Sequence, residues 1–156
     1  MRVPRPARPL PPLALVLLAP IAGCVATAPP RLSIADVQVT GVTDQGSSMV
    51  VVVRAENPND QPLPLRNINY TVSLAGQQVF AATRAAEGVL PRFGTLDLAL
   101  PVAVPARDRP SGDTDLRLSL VLGYLAPGKI AETLYDAGIS RPTVSGQGDT
   151  TVNLGG

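Results

Sequence analysis

The chain of 156 residues has no histidine, no tryptophan, one cysteine and one lysine, Lys129. Without histidine there is no Ser-His-Asp triad, no histidine-ligated haem and no zinc site of the usual Cys/His kind. A single cysteine excludes an internal disulfide. The aromatics are limited to Tyr70, Phe80, Phe93, Tyr124 and Tyr135. They are too few for the stacking platforms that hold bases or sugars. Charged residues make up 16% and the formal net charge is +1, with no basic block. No nucleic-acid partner is expected from such a balance. Hydrophobic residues reach 45%, too many for a disordered chain, so most of the sequence should fold.

What is present begins with an unusual N-terminus. Eight of the 17 prolines fall in the first 30 residues. Arg2, Arg5 and Arg8 precede an apolar run from Leu10 to Gly23, the charged and apolar regions of an export signal. The run is interrupted by Pro11, Pro12 and Pro20 and is shorter than the roughly 20 apolar residues of a spanning helix. It closes on Ile21-Ala22-Gly23-Cys24, which resembles the lipobox of bacterial lipoproteins: an aliphatic residue, two small residues, then cysteine.

The resemblance implies that the Cys24 thiol receives a diacylglyceryl group and that cleavage leaves Cys24 as the first residue. Its weight comes from the chain's only cysteine standing at the one position the motif needs. The competing reading is an ordinary secretory signal cut at a nearby alanine. Two or three acyl chains anchor stably where one does not. Val25 follows the cysteine, where lipoproteins kept in the inner membrane usually have Asp. The expectation is therefore an outer-membrane lipoprotein facing the periplasm of a bacterial envelope. Residues 1–23 are read as the signal peptide, 24–31 as lipidated cysteine and tether, and 32–154 as the folded domain. Loss of the signal arginines shifts the net charge from +1 to −2.

Beyond the tether the apolar residues alternate with period two. Ile68, Tyr70, Val72 and Leu74 share one phase, as do Leu96, Leu98, Leu100, Val102 and Val104, and Leu116, Leu118, Leu120 and Leu122. This is the pattern of strands with one buried face. In the first strand Leu32 and Ile34 lie on one phase and Val37 and Val39 on the other, so a bulge is expected near Ala35-Asp36. Met49–Val53 is apolar on both faces, as in a central strand. Ala75-Gly76-Gln77 reads as a hairpin turn. Residues 127–137 place Ile130, Ala131, Leu134 and Ala137 on one helical face, with Pro127 in the first turn and Gly138 past the end. One short amphipathic helix covering an open end of a sheet is expected there. A last strand region spans 141–154, with Gly146-Gln147-Gly148-Asp149 as the place for a kink or turn. The predicted fold is all-β: an antiparallel sandwich of seven to eight strands with one short helix. The Cys-Trp-Cys signature of immunoglobulin domains is missing, so a fibronectin-III-like topology is the better expectation.

Residues 51–59, Val-Val-Val-Arg-Ala-Glu-Asn-Pro-Asn, run a hydrophobic strand into an Asn-Pro-Asn turn. Ile68–Leu74 follows as an alternating strand with a tyrosine, then Gly76, Leu90-Pro91 and Leu100-Pro101-Val102. This order resembles the late-embryogenesis-abundant type 2 family, also called the WHy (water stress and hypersensitive response) domain. The resemblance covers about residues 32–154, loosely in the last third, and implies a fibronectin-III-like sandwich with a short helix.

Asn57, Pro58 and Asn59 form the family motif. Pro58 fixes its own φ and biases Asn57 toward extended backbone, and both asparagines suit turns. A structural turn is the favoured reading over a binding loop. Glu56, Asp60 and Asp97 are conceivable calcium ligands, but no dense acidic loop is present, and no metal or cofactor is expected. No serine sits in a Gly-x-Ser-x-Gly setting, and no enzyme is expected.

The expected function, implied by the resemblance, is protection of envelope or periplasmic proteins in desiccation or related stress, through weak client contacts. The alternative is a non-catalytic envelope adaptor that binds one protein partner by a sheet edge or end loops.

Overall fold

The computed structural model describes residues 27–155. The expected signal peptide and the Ile21-Ala22-Gly23-Cys24 motif lie outside the described residues. The tether is described from Thr27 onward.

Eight strands and one short helix follow in order: β1 (Arg31–Thr43), β2 (Gly46–Glu56), β3 (Leu63–Leu74), β4 (Gln77–Ala85), β5 (Val89–Leu90), β6 (Thr95–Pro105), β7 (Asp113–Tyr124), α1 (Lys129–Asp136) and β8 (Thr143–Asn153). They form two antiparallel sheets. One has the order β1-β2-β6, and the other has the order β4-β3-β7-β8 with β5 added beside β3. In immunoglobulin constant domains the fourth strand joins the sheet of the first two. Here β4 pairs with β3 instead, as the fibronectin-III-like expectation requires.

The alternating phases meet face to face. Met49, Val51, Val53 and Ala55 of β2 and Leu98, Leu100, Val102 and Val104 of β6 are buried. Opposite them lie Ile68, Tyr70, Val72 and Leu74 of β3 and Leu116, Leu118, Leu120 and Leu122 of β7. Each buried Val, Leu, Ile or Met among them contributes about 1.5–3 kcal/mol relative to exposure. β2 is central in its sheet, between β1 and β6, as its two-faced apolar run predicts. The β1 register shifts between Ile34 and Asp36, where the phase change placed a bulge.

Two expectations fail. β8 is one unbroken strand from Thr143 to Asn153, and its glycines neither kink nor turn it. They face β1, where a Cβ on Gly146 would lie 3.0 Å from Leu32 Cβ. Small residues there let β1 and β8 approach and close one side of the sandwich. The helix, in turn, does not cover a sheet end. None of its residues is buried, and Ile130 is 78% exposed. The sandwich end where it lies is already filled by Leu63, Leu90, Tyr124 and Leu125. Ala131, Leu134 and Tyr135 are half-buried, and the Tyr135 ring has the guanidinium groups of Arg66 and Arg141 at 5.3 and 5.9 Å from its centroid.

Candidate functional site

The Asn-Pro-Asn motif lies where β2 ends. Met49, Val51, Val53 and Ala55 point inward, and Asn57 continues that phase. Its side chain is therefore carried to the edge of the core, where it is 1% exposed. A buried amide must be hydrogen-bonded, and this one is. Its Nδ2 donates to the carbonyls of Gln61 (2.8 Å), Pro91 (3.1 Å) and Leu90 (3.4 Å). Its Oδ1 accepts from the Asn59 backbone N–H (3.0 Å) and from Asn59 Nδ2 (2.8 Å). The first of these is an Asx turn. Pro58 has no N–H to extend the ladder, so the chain leaves the sheet here.

Asn59 reaches the other way. Its Nδ2 donates to the Ala28 carbonyl (2.8 Å), and the Ala28 N–H donates to its Oδ1 (2.9 Å). The side-chain amide thus mimics a backbone partner and holds the chain that leads into β1. The Asn59 carbonyl also accepts the Phe93 N–H (3.0 Å), and the Asn57 N–H donates to Gly94 (2.9 Å). The motif therefore ties together the β2–β3 loop, the β5–β6 loop and the incoming N-terminal segment. Thr27, Asn59, Asp60, Gln61, Pro127 and Gly128 line an open groove of about 300 Å³ beside it.

The carboxylates considered for calcium are placed differently. Asp97 faces Arg54 across the β2–β6 pair, with Nε and Nη2 at 2.8 and 2.9 Å from its two oxygens. This hydrogen-bonded pair holds the Asp97 carboxyl below its usual range. Glu56 lies 3.7 Å from Arg31, and Asp60 is exposed on the loop. Among the described residues no three His, Cys, Asp or Glu side chains gather as a metal set. Tyr70 donates its hydroxyl to the Pro101 carbonyl (2.6 Å), linking the two sheets. Burial pushes the pKa values of the Tyr70 and Tyr124 hydroxyls up.

The model of the family described as late embryogenesis abundant protein matches residues 52–136, more than half of the chain. The chain belongs to this late embryogenesis abundant family. It is 29% identical over 127 residues to the desiccation protectant protein Lea14 homolog of Glycine max, covering 74% of this chain and 84% of that one. Its fold resembles the solution structure of AT1g01470 from Arabidopsis thaliana, with a TM-score of 0.59 and 23% identity over 82% of this chain and 85% of that one. It also resembles the solution structure of At2g46140.1, with a TM-score of 0.55 and 27% identity over 80% of this chain and 72% of that one. The family match takes in the end of β2, the Asn-Pro-Asn loop, β3 to β7 and α1. Sequence reasoning missed the partner of Asn59, since the Ala28 backbone carries no side-chain signal. The burial of Asn57 was legible in its period-two spacing from Ala55.

Proposed function

We propose that this late embryogenesis abundant protein is a lipid-anchored, periplasm-facing module that protects envelope or periplasmic proteins during desiccation or related stress. The stress role is supported by family membership and by the similarity to a desiccation protectant. Lipid anchoring and the periplasmic outer-membrane location are supported by Ile21-Ala22-Gly23-Cys24 and by Val25 after it. The observation that carries the mechanism is the closed alternation of the strands. Apolar side chains fill the core, while the outer faces present residues such as Arg54, Asp97, Arg117 and Asp149. Such a surface stays hydrated and separates unfolded clients through weak, non-stoichiometric contacts. The module acts without catalysis.

The test is drying or freezing a labile enzyme with residues 25–156. Retained activity above that given by an equal mass of inert protein supports the reading, and no difference overturns it. Membrane anchoring is tested by Cys24→Ala, which is expected to abolish acylation.

The adaptor reading has one observation of its own. Met49, Tyr70, Phe80 and Val102 line an open groove of about 480 Å³ where the outer edges of β4 and β6 have no strand partner among the described residues. Pull-down from membranes separates the two readings: a single stoichiometric partner favours the adaptor.

A further inference from the structure

The loops sort to two ends of the sandwich. β1, β3, β6 and β8 start, and β2 and β7 end, at the end where Asn59 holds Ala28. Segments 57–62, 86–94 and 125–142, the last two carrying β5 and α1, gather there. The opposite end carries the turns at 44–45 and 75–76 and segment 106–112. Single exposed apolar residues are ordinary on any protein. Their distribution here is not even. Phe93 (71% exposed), Ile130 (78%), Ile139 (73%) and Val89 (53%) all lie in segments 86–94 and 125–142, whereas Val42 (47%) and Val39 (39%) stand on β1 toward the other end and Val121 (37%) stands on β7.

Two of these segments meet the point where Asn59 holds Ala28. The Phe93 N–H is bonded to the Asn59 carbonyl. Gly128, just before the turn that carries Ile130, lines the same groove as Thr27 and Asn59. Residues 25–27 separate Cys24 from Ala28, a reach of about 14 Å even when fully extended. β2 alone has 11 residues and spans about 37 Å. A tether that short brings this end, and not the opposite one, to any surface that holds Cys24.

We propose that this end of the domain rests on the bilayer, with Phe93, Ile130 and Ile139 entering the lipid interface. The inference rests on the lipoprotein reading of Cys24. The basic residues of these loops, Arg92, Lys129 and Arg141, are matched by Asp60, Glu87, Glu132 and Asp136. The contact is therefore apolar and does not require anionic lipid. Asn59 fixes the orientation by holding the tether against the domain.

The chain from Cys24 contains every described residue, and its single thiol can be coupled to a maleimide lipid in phosphatidylcholine vesicles with brominated acyl chains. Because the protein has no tryptophan, Phe93→Trp, Ile130→Trp, Ile139→Trp and Val42→Trp each introduce one reporter. The first three are expected to shift to the blue and to be quenched by bromine, with Val42→Trp unaffected. Unquenched reporters at 93 and 130, or equal quenching at 42, overturn the proposal. A concentration-dependent blue shift at 93 without lipid overturns it in favour of a second copy of the chain. Coupling is chemical, so these outcomes do not depend on whether cells acylate Cys24. Acylation is read separately from the mass of the N-terminal peptide.

Discussion

Ile34 occupies the space that a side chain on Gly148 would need: a Cβ built there lies 2.6 Å from Ile34 Cδ1 and 2.7 Å from its Cγ1. β1 and β8 belong to different sheets and share no ladder, so this contact closes their side of the sandwich by packing alone. Ile34 is β-branched and stiff at χ1, and it cannot swing aside freely. Gly148→Ala is therefore expected to destabilise by about 1–2 kcal/mol, the overpacking cost less the gain from a stiffer unfolded chain. The urea midpoint reads this directly. Ile34→Val in the same chain should recover part of the loss, and an unchanged midpoint for Gly148→Ala alone would show that the contact is slack.

The core was legible in the sequence because period-two alternation is a local property. Ile68 to Leu74 and Leu116 to Leu122 each carry the signal within a few residues, and the bulge near Ala35 shows as a change of phase. What could not be read depends on distant segments. Gly146 and Gly148 resemble turn residues until β1 is seen beside them. The face of Ile130, Ala131 and Leu134 resembles a core face until Leu90 and Leu125 are seen to fill the sheet end first. The Asn-Pro-Asn turn was legible as a strand end, but its hold on Ala28 joins residues that share no pattern.

Replacing Asn57 tests the loop. Asn57→Ala leaves the carbonyls of Gln61 and Pro91 and the N–H of Asn59 short of partners, which should cost about 2–3 kcal/mol. Asn57→Asp keeps the shape but turns an oxygen toward those carbonyls, so it is expected to be at least as damaging. Asn59→Ala loses exposed bonds to Ala28 and should cost about 1 kcal/mol. Denaturant unfolding of the three variants gives the order. Equal effects at 57 and 59 would contradict the division between a core staple and a tether clamp.

Alkaline pH should weaken the fold through Tyr70 and Tyr124. Burial raises both folded-state pKa values, so the native state holds its protons longer than the unfolded chain, whose tyrosines titrate near about 10. The tyrosines' contribution is complete below that unfolded value and is lost as pH rises through the folded one. Tyr70→Phe should flatten the fall in stability above about pH 10, while lowering stability at neutral pH by about 1 kcal/mol through loss of the Pro101 bond. Phenolate absorbance alongside circular dichroism separates the two effects. A Tyr70 that titrates before unfolding with an ordinary midpoint would contradict its burial.

The β3–β4 hairpin holds an alanine where the backbone favours another residue. Ala75 and Gly76 have φ of 47° and 81°, and Leu74 pairs with Gln77, so these two residues form a type I′ turn. Its left-handed first position costs an alanine about 1 kcal/mol, whereas asparagine tolerates it and Asn-Gly is the favoured pair. The Ala75 N–H bond to the Asp115 carbonyl (3.0 Å) does not involve the side chain and is kept. Ala75→Asn should therefore stabilise by about 0.5–1 kcal/mol, raising Tm by about 2–5 °C. Ala75→Val should lower it, because a β-branched side chain fits that conformation worst. The pair of variants separates backbone strain from polarity. If asparagine and valine both lower Tm, the turn is not strained in solution, and the register of Leu74 opposite Gln77 must be held by the Tyr70–Phe80 and Val72 packing instead.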